Sequence, residues 1–228
     1  MTKNKEKELR HNSKSFEDAI AFLKKSCDDN KRKFNETVDI AVMLGIDTKQ
    51  STQNVKGFSV LPHGTGKKVK VIVITSDQNL QKEALEAGAI KSGFDDLISE
   101  IDSGYIDFDT CIATPDAMQK LSKVAKKLGP RGLMPNPKSG TVTKNIKEAV
   151  QDFVKGKVIF KNEKSGIIHS AIGKIDFSDD NLVQNAKEII KSIKESKPEN
   201  IKGKYMLKCY LSSTMGKSVE VIEGSNTF

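Results

Sequence analysis

The sequence has no tryptophan and only three tyrosines among 228 residues. Aromatic rings therefore cannot line a strand as a platform for stacked bases, and no candidate strand shows an RNP-like aromatic pattern. Long apolar runs are missing too. None approaches the roughly 20 residues needed to cross a bilayer. The opening Met1-Thr2-Lys3-Asn4-Lys5-Glu6-Lys7-Glu8 has no apolar core of the kind a secretory leader carries. The expectation is a protein that is neither exported nor inserted in a membrane. Cysteine is scarce: Cys27, Cys111 and Cys209 lie far apart, form no C-x-x-C pair, and have only His11, His63 and His169 as metal partners. A reducing, cytoplasmic setting fits, with no metal and no cofactor.

Catalytic motifs are absent as well. His63-Gly64-Thr65-Gly66-Lys67-Lys68 has the glycines and lysines of a phosphate loop, but Leu61 stands where the first glycine belongs and Lys68 where a hydroxyl belongs. It also opens a strand rather than a helix. A turn or hinge explains it better. Thr75-Ser76-Asp77-Gln78-Asn79 follows the first strand of the middle region in place of a dinucleotide-binding glycine pattern, and no G-x-S-x-G elbow occurs. Carboxylate pairs such as Asp95-Asp96, Asp107 with Asp109, and Asp179-Asp180 fall where turns and helix starts use them. The chain is expected not to be an enzyme and to take no small-molecule substrate.

What the sequence does contain is charge, 38 Lys+Arg against 30 Asp+Glu, for a net +8. The excess is uneven. Residues 1–66 and 157–228 each hold 12 basic and 9 acidic side chains, whereas 67–156 hold 14 and 12. The outer segments together carry +6 and are the better candidates for meeting phosphate.

Periodicity divides the chain along the same lines. Residues 1–10 form a charged lead-in. Ser15 caps a helix whose apolar Phe16, Ala19, Ile20 and Leu23 recur at spacings of three and four. Thr37 to Leu44 is a β-branched strand closed by Gly45, followed by a polar connection from Asp47 to Gly66. Val69 to Thr75 is a continuous apolar strand of the doubly buried kind. Helices at Asn79–Ala87, Pro115–Leu128 and Asn145–Val154, with a strand at Thr110–Ala113 between the first two, make an α/β unit with a parallel sheet. The loop from Gly129 to Thr143 is rich in proline and glycine. Strands at Val158–Lys161 and Ile167–Ile175, a helix at Asp179–Lys194 and a last strand at Tyr205–Ser212 complete the chain. One helix and one strand before Gly66 are too little for a core of their own. They are expected to join the last segment as a discontinuous domain, 1–66 with 157–228, interrupted by an α/β domain, 67–156.

Two short segments could grip structured RNA. Lys31-Arg32-Lys33-Phe34-Asn35-Glu36-Thr37 sets charges beside one large ring at a strand entrance. Ser212-Ser213-Thr214-Met215-Gly216-Lys217 sets hydroxyls, a flexible thioether and a glycine at a strand exit.

Further motifs join them in order along the chain: Gln53-Asn54-Val55-Lys56-Gly57, Leu61-Pro62-His63-Gly64-Thr65-Gly66, Leu128-Gly129-Pro130-Arg131-Gly132-Leu133-Met134-Pro135-Asn136-Pro137 and Gly166-Ile167-Ile168-His169. Together with the two segments they make the chain resemble the family of ribosomal protein one of the large subunit, in its bacterial or organellar form, from about Phe16 to Gly216. The resemblance implies an outer α+β domain of split β-α-β type, interrupted by a Rossmann-like three-layer α/β domain, with a hinge at Gly64, Gly66 and Gly156. It implies binding of large-subunit rRNA in the mobile stalk near the exit site, help in releasing deacylated exit-site tRNA, and repression of translation of the protein's own operon mRNA. It implies RNA contacts at Lys33, Phe34 and Thr37, at Lys161, Lys164 and His169, and at Ser212, Thr214, Met215 and Gly216. The rival expectations are a substrate site at the carboxyl ends of the middle strands and a basic adapter without sequence preference.

Overall fold

A computed structural model describes residues 15–29, 32–199, 201 and 203–222. The expected lead-in at residues 1–10, His11 and Lys31 of the basic run lie outside them. In chain order the helices are α1 (Phe16–Asp29), α2 (Gln78–Glu86), α3 (Asp95–Ser103), α4 (Met118–Leu121), α5 (Ala125–Leu128), α6 (Ile146–Lys155) and α7 (Asp179–Glu195). The strands are β1 (Thr37–Leu44), β2 (Lys56–Val60), β3 (Val71–Ile74), β4 (Lys91–Gly93), β5 (Thr110–Ala113), β6 (Lys157–Lys161), β7 (Ile167–Lys174), β8 (Met206–Ser213) and β9 (Ser218–Val221). The fold is mixed α/β, in two compact units: Met1–Gly66 with Val158–Phe228, and Lys67–Lys157.

In the outer unit four antiparallel strands run in the order β7-β1-β8-β9. Their alternation drives the packing. Val38, Ile40, Val42 and Leu44 of β1 point inward, as do Ile168 and Ile172 of β7 and Cys209 and Leu211 of β8. Against them lie α1, through Phe16, Ala19, Ile20 and Leu23, and α7, through Leu182, Val183, Ala186, Ile189, Ile190 and Ile193. Ser15 and Ser178 cap these helices by accepting the N–H groups of Asp18 (3.2 Å) and Asn181 (3.3 Å). Asp179 and Asp180 sit in the first turn of α7, where the helix dipole favours them.

The connection from Asp47 to Gly66 contains an element its polarity hides. Lys56–Val60 is a strand, β2, paired with β6. A Cβ on Gly57 would stand 2.8 Å from Cζ of Phe160, so glycine lets that buried ring approach.

The inserted unit has a parallel sheet in the order β4-β3-β5. Ile72 and Ile74 of β3 face one apolar cluster with Ile98, Ile101, Leu121, Val124 and Leu128. Val71 and Val73 face another with Ala84, Ile146, Val150 and Phe153. The sheet is therefore covered on both faces, as its uninterrupted apolar strands require. The segment from Pro115 to Leu128 is not one helix. Residues 115–117 turn, and a 3₁₀ turn at Ser122–Val124 separates α4 from α5. Leu121, Val124 and Leu128 all stay buried across the break. The chain continues beyond β8 into an edge strand, β9, and Asp95–Ser103 forms a helix, neither of which the periodicity suggested.

Lys157 stays with the inserted unit because its amine pairs with Asp152 at 3.6 Å and lies 5.3 Å from the centre of the Phe153 ring. The crossing thus falls between Lys157 and Val158, one residue after Gly156.

Candidate nucleic-acid interface

Antiparallel order puts the first residue of β1 beside the last residues of β7 and β8. Thr37 pairs with Lys174, and Val38 with Ser213. The basic approach to β1 and the turn leaving β8 are therefore neighbours, although they are far apart in sequence.

Hydrogen bonds stitch the two together. Thr37 N–H donates to Thr214 Oγ1 at 2.9 Å, and Thr214 N–H donates back to the Thr37 carbonyl at 3.0 Å. The Thr214 hydroxyl donates to that same carbonyl at 3.3 Å, and Lys174 Nζ donates to Thr37 Oγ1 at 2.8 Å. A hydroxyl offers one proton and two lone pairs. Thr37 thus keeps its proton and Thr214 keeps a lone pair for an outside partner.

Beside this seam lies a buried carboxylate. The Glu36 side chain is 4% exposed and accepts Arg32 Nη1 at 2.6 Å and the Met215 N–H at 3.4 Å. The other arm of Arg32, Nη2, donates to the Met215 carbonyl at 3.0 Å. Burial alone would raise the pKa of Glu36. Hydrogen bonds from Ser213, Arg32 and Met215, with the charge of Arg32, outweigh it and hold the carboxyl below its ordinary value. Cys27 Sγ approaches Ser213 Oγ from behind at 3.4 Å. A Cβ on Gly216 would fall 2.1 Å from Ser213 Oγ, so only glycine fits the turn as it stands.

Around this seam the apolar groups point outward. Phe34 is 52% exposed and Met215 66%. Lys33, Thr214, Gly216 and Lys217 are also exposed, and Ser212 lies half-buried opposite Asp39. Lys33, Phe34, Thr37, Ser212, Thr214, Met215 and Gly216 are therefore gathered at one corner of the sheet.

Lys161, Lys164 and His169 are not part of that corner. The β6–β7 hairpin sits at the far end of β1, where Leu44 N–H bonds to the Gly166 carbonyl at 2.9 Å. The eight residues of β1 separate the two places by about 25 Å at roughly 3.3 Å per residue. Lys161 and Lys164 line an open cleft of about 810 Å³ with Thr48, Asn54, Asn162, Glu163 and Ser165. Burial and the nearby charge of Lys161 lower the pKa of Lys56, which marks this end as positively charged. His169 lies between the two ends, exposed on β7 opposite Ala41. Its charge and that of Lys174 work against the burial that raises the pKa of Asp39.

The glycines at the crossings have left-handed backbones, with φ of 65° at Gly64, 71° at Gly66 and 124° at Gly156. The Gly64 carbonyl accepts Nδ2 of the buried Asn185 at 2.9 Å. Gly66 packs against Lys174 and Phe177, where a Cβ would stand 3.0–3.1 Å away. Both are thus anchored to the outer unit, whereas Lys67 pairs with Asp109 of the inserted unit at 2.6 Å.

Glu36 and Arg32 are site residues that the strand-end motifs do not single out, yet the sequence holds one cue to Glu36. The inward positions of β1 are even-numbered, and stepping back from Val38 puts Glu36 on the buried side. Among the described residues no three His, Cys, Asp or Glu side chains gather as a metal site, and no helix is long and apolar enough to cross a membrane.

Residues 23–217 match the model of the ribosomal protein L1p/L10e family, a span that holds both the corner and the hairpin. The chain is also 47% identical over 208 residues to the large ribosomal subunit protein uL1 of Proteus mirabilis (strain HI4320). That alignment covers 91% of this chain and 88% of the relative.

Proposed function

The chain belongs to the ribosomal protein L1p/L10e family, and from that premise we propose that it is a structural component of the large ribosomal subunit that binds the rRNA of the mobile stalk near the exit site. As a member of that family it is not an enzyme. The observation that supports RNA recognition best is the corner of the outer unit. There an exposed ring and thioether stand beside hydroxyls and backbone groups already held in place.

Phe34 and Met215 lie against sugar faces in a shallow groove. The free proton of Thr37, the free lone pair of Thr214 and the hydroxyl of Ser212 bond to 2′-OH groups and phosphate oxygens. Lys33 draws in the backbone without reading it. The Lys161–Lys164 cleft takes a second stretch of the same RNA, one strand length away, and His169 lies on the path between the two. Such a surface reads shape, and the lack of a stacking platform suits it to a helical junction. An operon mRNA folded like the rRNA site competes for the same corner, which is how the protein represses its own translation. Swinging of the inserted unit at the two crossings accompanies release of deacylated tRNA from the exit site.

The test is equilibrium binding to an rRNA stalk fragment and to a size-matched scrambled hairpin at two salt concentrations. The expected result is a preference for the stalk that survives raised salt, with an operon mRNA fragment displacing it. Equal affinities that collapse together with salt would reduce the interaction to counterion release and overturn the reading.

A further inference from the structure

Arg32 is a cation beside the seam, and counting charges would make it a phosphate contact. Its hydrogen bonds say otherwise. One arm is spent on Glu36 Oε1 at 2.6 Å and the other on the Met215 carbonyl at 3.0 Å, while Met215 N–H returns to Glu36 Oε2. Guanidinium, carboxylate and peptide close a ring around Met215, and Ser213 adds its hydroxyl from the strand end.

Resting on the proposed RNA reading, we infer that Arg32 and Glu36 are positioning residues: a clasp that fixes the Ser213–Gly216 turn in its RNA-competent shape and adds no net charge to the interface. Three features of the clasp lead there. It uses both polar groups of the Met215 backbone, so the turn cannot rotate without breaking charged hydrogen bonds, which are about twice as strong as neutral ones. Glu36 is buried to a degree that carboxylates reach only when paired. The two charges cancel within a hydrogen bond's length, so Arg32 brings little net charge to a phosphate.

Bridging two acceptors a residue's width apart needs a planar fork. A lysine carries the same charge but cannot span Glu36 and the Met215 carbonyl in that way. The clasp therefore governs discrimination between RNAs rather than attraction to them.

The experiment measures affinity for the stalk fragment and for the scrambled hairpin across a salt series, with Arg32→Lys, Arg32→Ala and Glu36→Gln beside the parent protein. Both Arg32 variants are expected to lose stalk preference by about tenfold, the equivalent of one charged hydrogen bond. The slope of log affinity against log salt on scrambled RNA stays unchanged in Arg32→Ala. In Glu36→Gln the released guanidinium is free to meet a phosphate. The slope steepens by about 0.7–0.9 and scrambled RNA binds more tightly at low salt, even as stalk preference falls. A purely architectural ion pair would move thermal stability without moving the slope in that direction.

Full stalk preference in Arg32→Lys, or a shallower slope in Arg32→Ala, would show that Arg32 is an ordinary phosphate contact and would overturn the clasp. If Glu36→Gln does not fold, the two Arg32 variants decide alone. A parent protein without stalk preference would defeat the RNA reading instead, an outcome distinct from any of these.

Discussion

Replacing Gly216 by alanine tests the seam at its tightest point. Gly216 is not one of the left-handed glycines, so alanine meets no backbone penalty there. The main obstacle is Oγ of Ser213, 2.1 Å from where the new Cβ would stand, with Ser213 Cβ behind it at 3.3 Å. Ser213 is buried, and its hydroxyl helps to hold Glu36 ionised. If it rotates away, a hydrogen bond to a charged group is lost, a loss of about 1.5–3 kcal/mol. Against that, Gly→Ala narrows the unfolded ensemble and returns about 0.4–1 kcal/mol. Gly216→Ala should therefore destabilise the outer unit by about 0.5–2.6 kcal/mol. Ser213→Ala removes the same bond directly and should cost about 1.5–3 kcal/mol. In the double variant the new methyl meets no hydroxyl, so it should be no less stable than Ser213→Ala alone. The cycle then gives a coupling of about 1.5–3 kcal/mol. Hydrogen exchange of the β8 amides is the suitable assay, because it reports opening of the outer unit apart from the inserted one. Costs that add to within about 0.5 kcal/mol would rule out this coupling. They would mean that the turn, not the Ser213 hydroxyl, absorbs the clash.

Two more outcomes follow from the same structure. The folded pKa of Glu36 is depressed below 4.5, so its stabilising contribution is complete above that value and is lost as pH falls through the folded pKa. Unfolding free energy between pH 6 and 3 should fall more steeply for the parent protein than for Glu36→Gln, and parallel curves would contradict this. At the crossings, Gly66 packs against the outer unit and Lys67 pairs within the inserted one, so the proposed hinge would turn on the dihedrals about 66–67 and 157–158. Single-molecule distances between dyes on the two units should then be broad or bimodal without RNA. One narrow state with and without RNA would count against a hinge.

Local pattern carried much of the fold. β1 was legible because its alternation is unbroken, and β3 because an apolar run of its length must be covered on both sides. Ser15 and the Asp179-Asp180 pair marked helix starts by their capping chemistry. β2 was hidden because Gly57 and the polar residues around it look like loop, and its partner β6 lies about a hundred residues downstream. β9 escaped for a similar reason: a four-residue edge strand has too few alternations to stand out. Among site residues, the segments around Phe34 and Met215 stand out, one for charges beside a lone ring at a strand entrance, the other for hydroxyls, a thioether and a glycine at a strand exit. Nothing local showed that they meet, or that Lys161 and Lys164 lie at the other end of the sheet.

Which residues lie inside and outside each element, and where the texture changes near Gly66, is written in spacing and caps, both of them local. That Thr37 and Thr214, 177 positions apart, exchange hydrogen bonds, and that Glu36 is spent on Arg32 and Met215 rather than on solvent, came with the assembled sheet. The physical reason is the strand order. β1 pairs with β7 on one side and β8 on the other because that arrangement buries the inner face of the sheet under α1 and α7, and no short window of sequence records a choice made by the whole core.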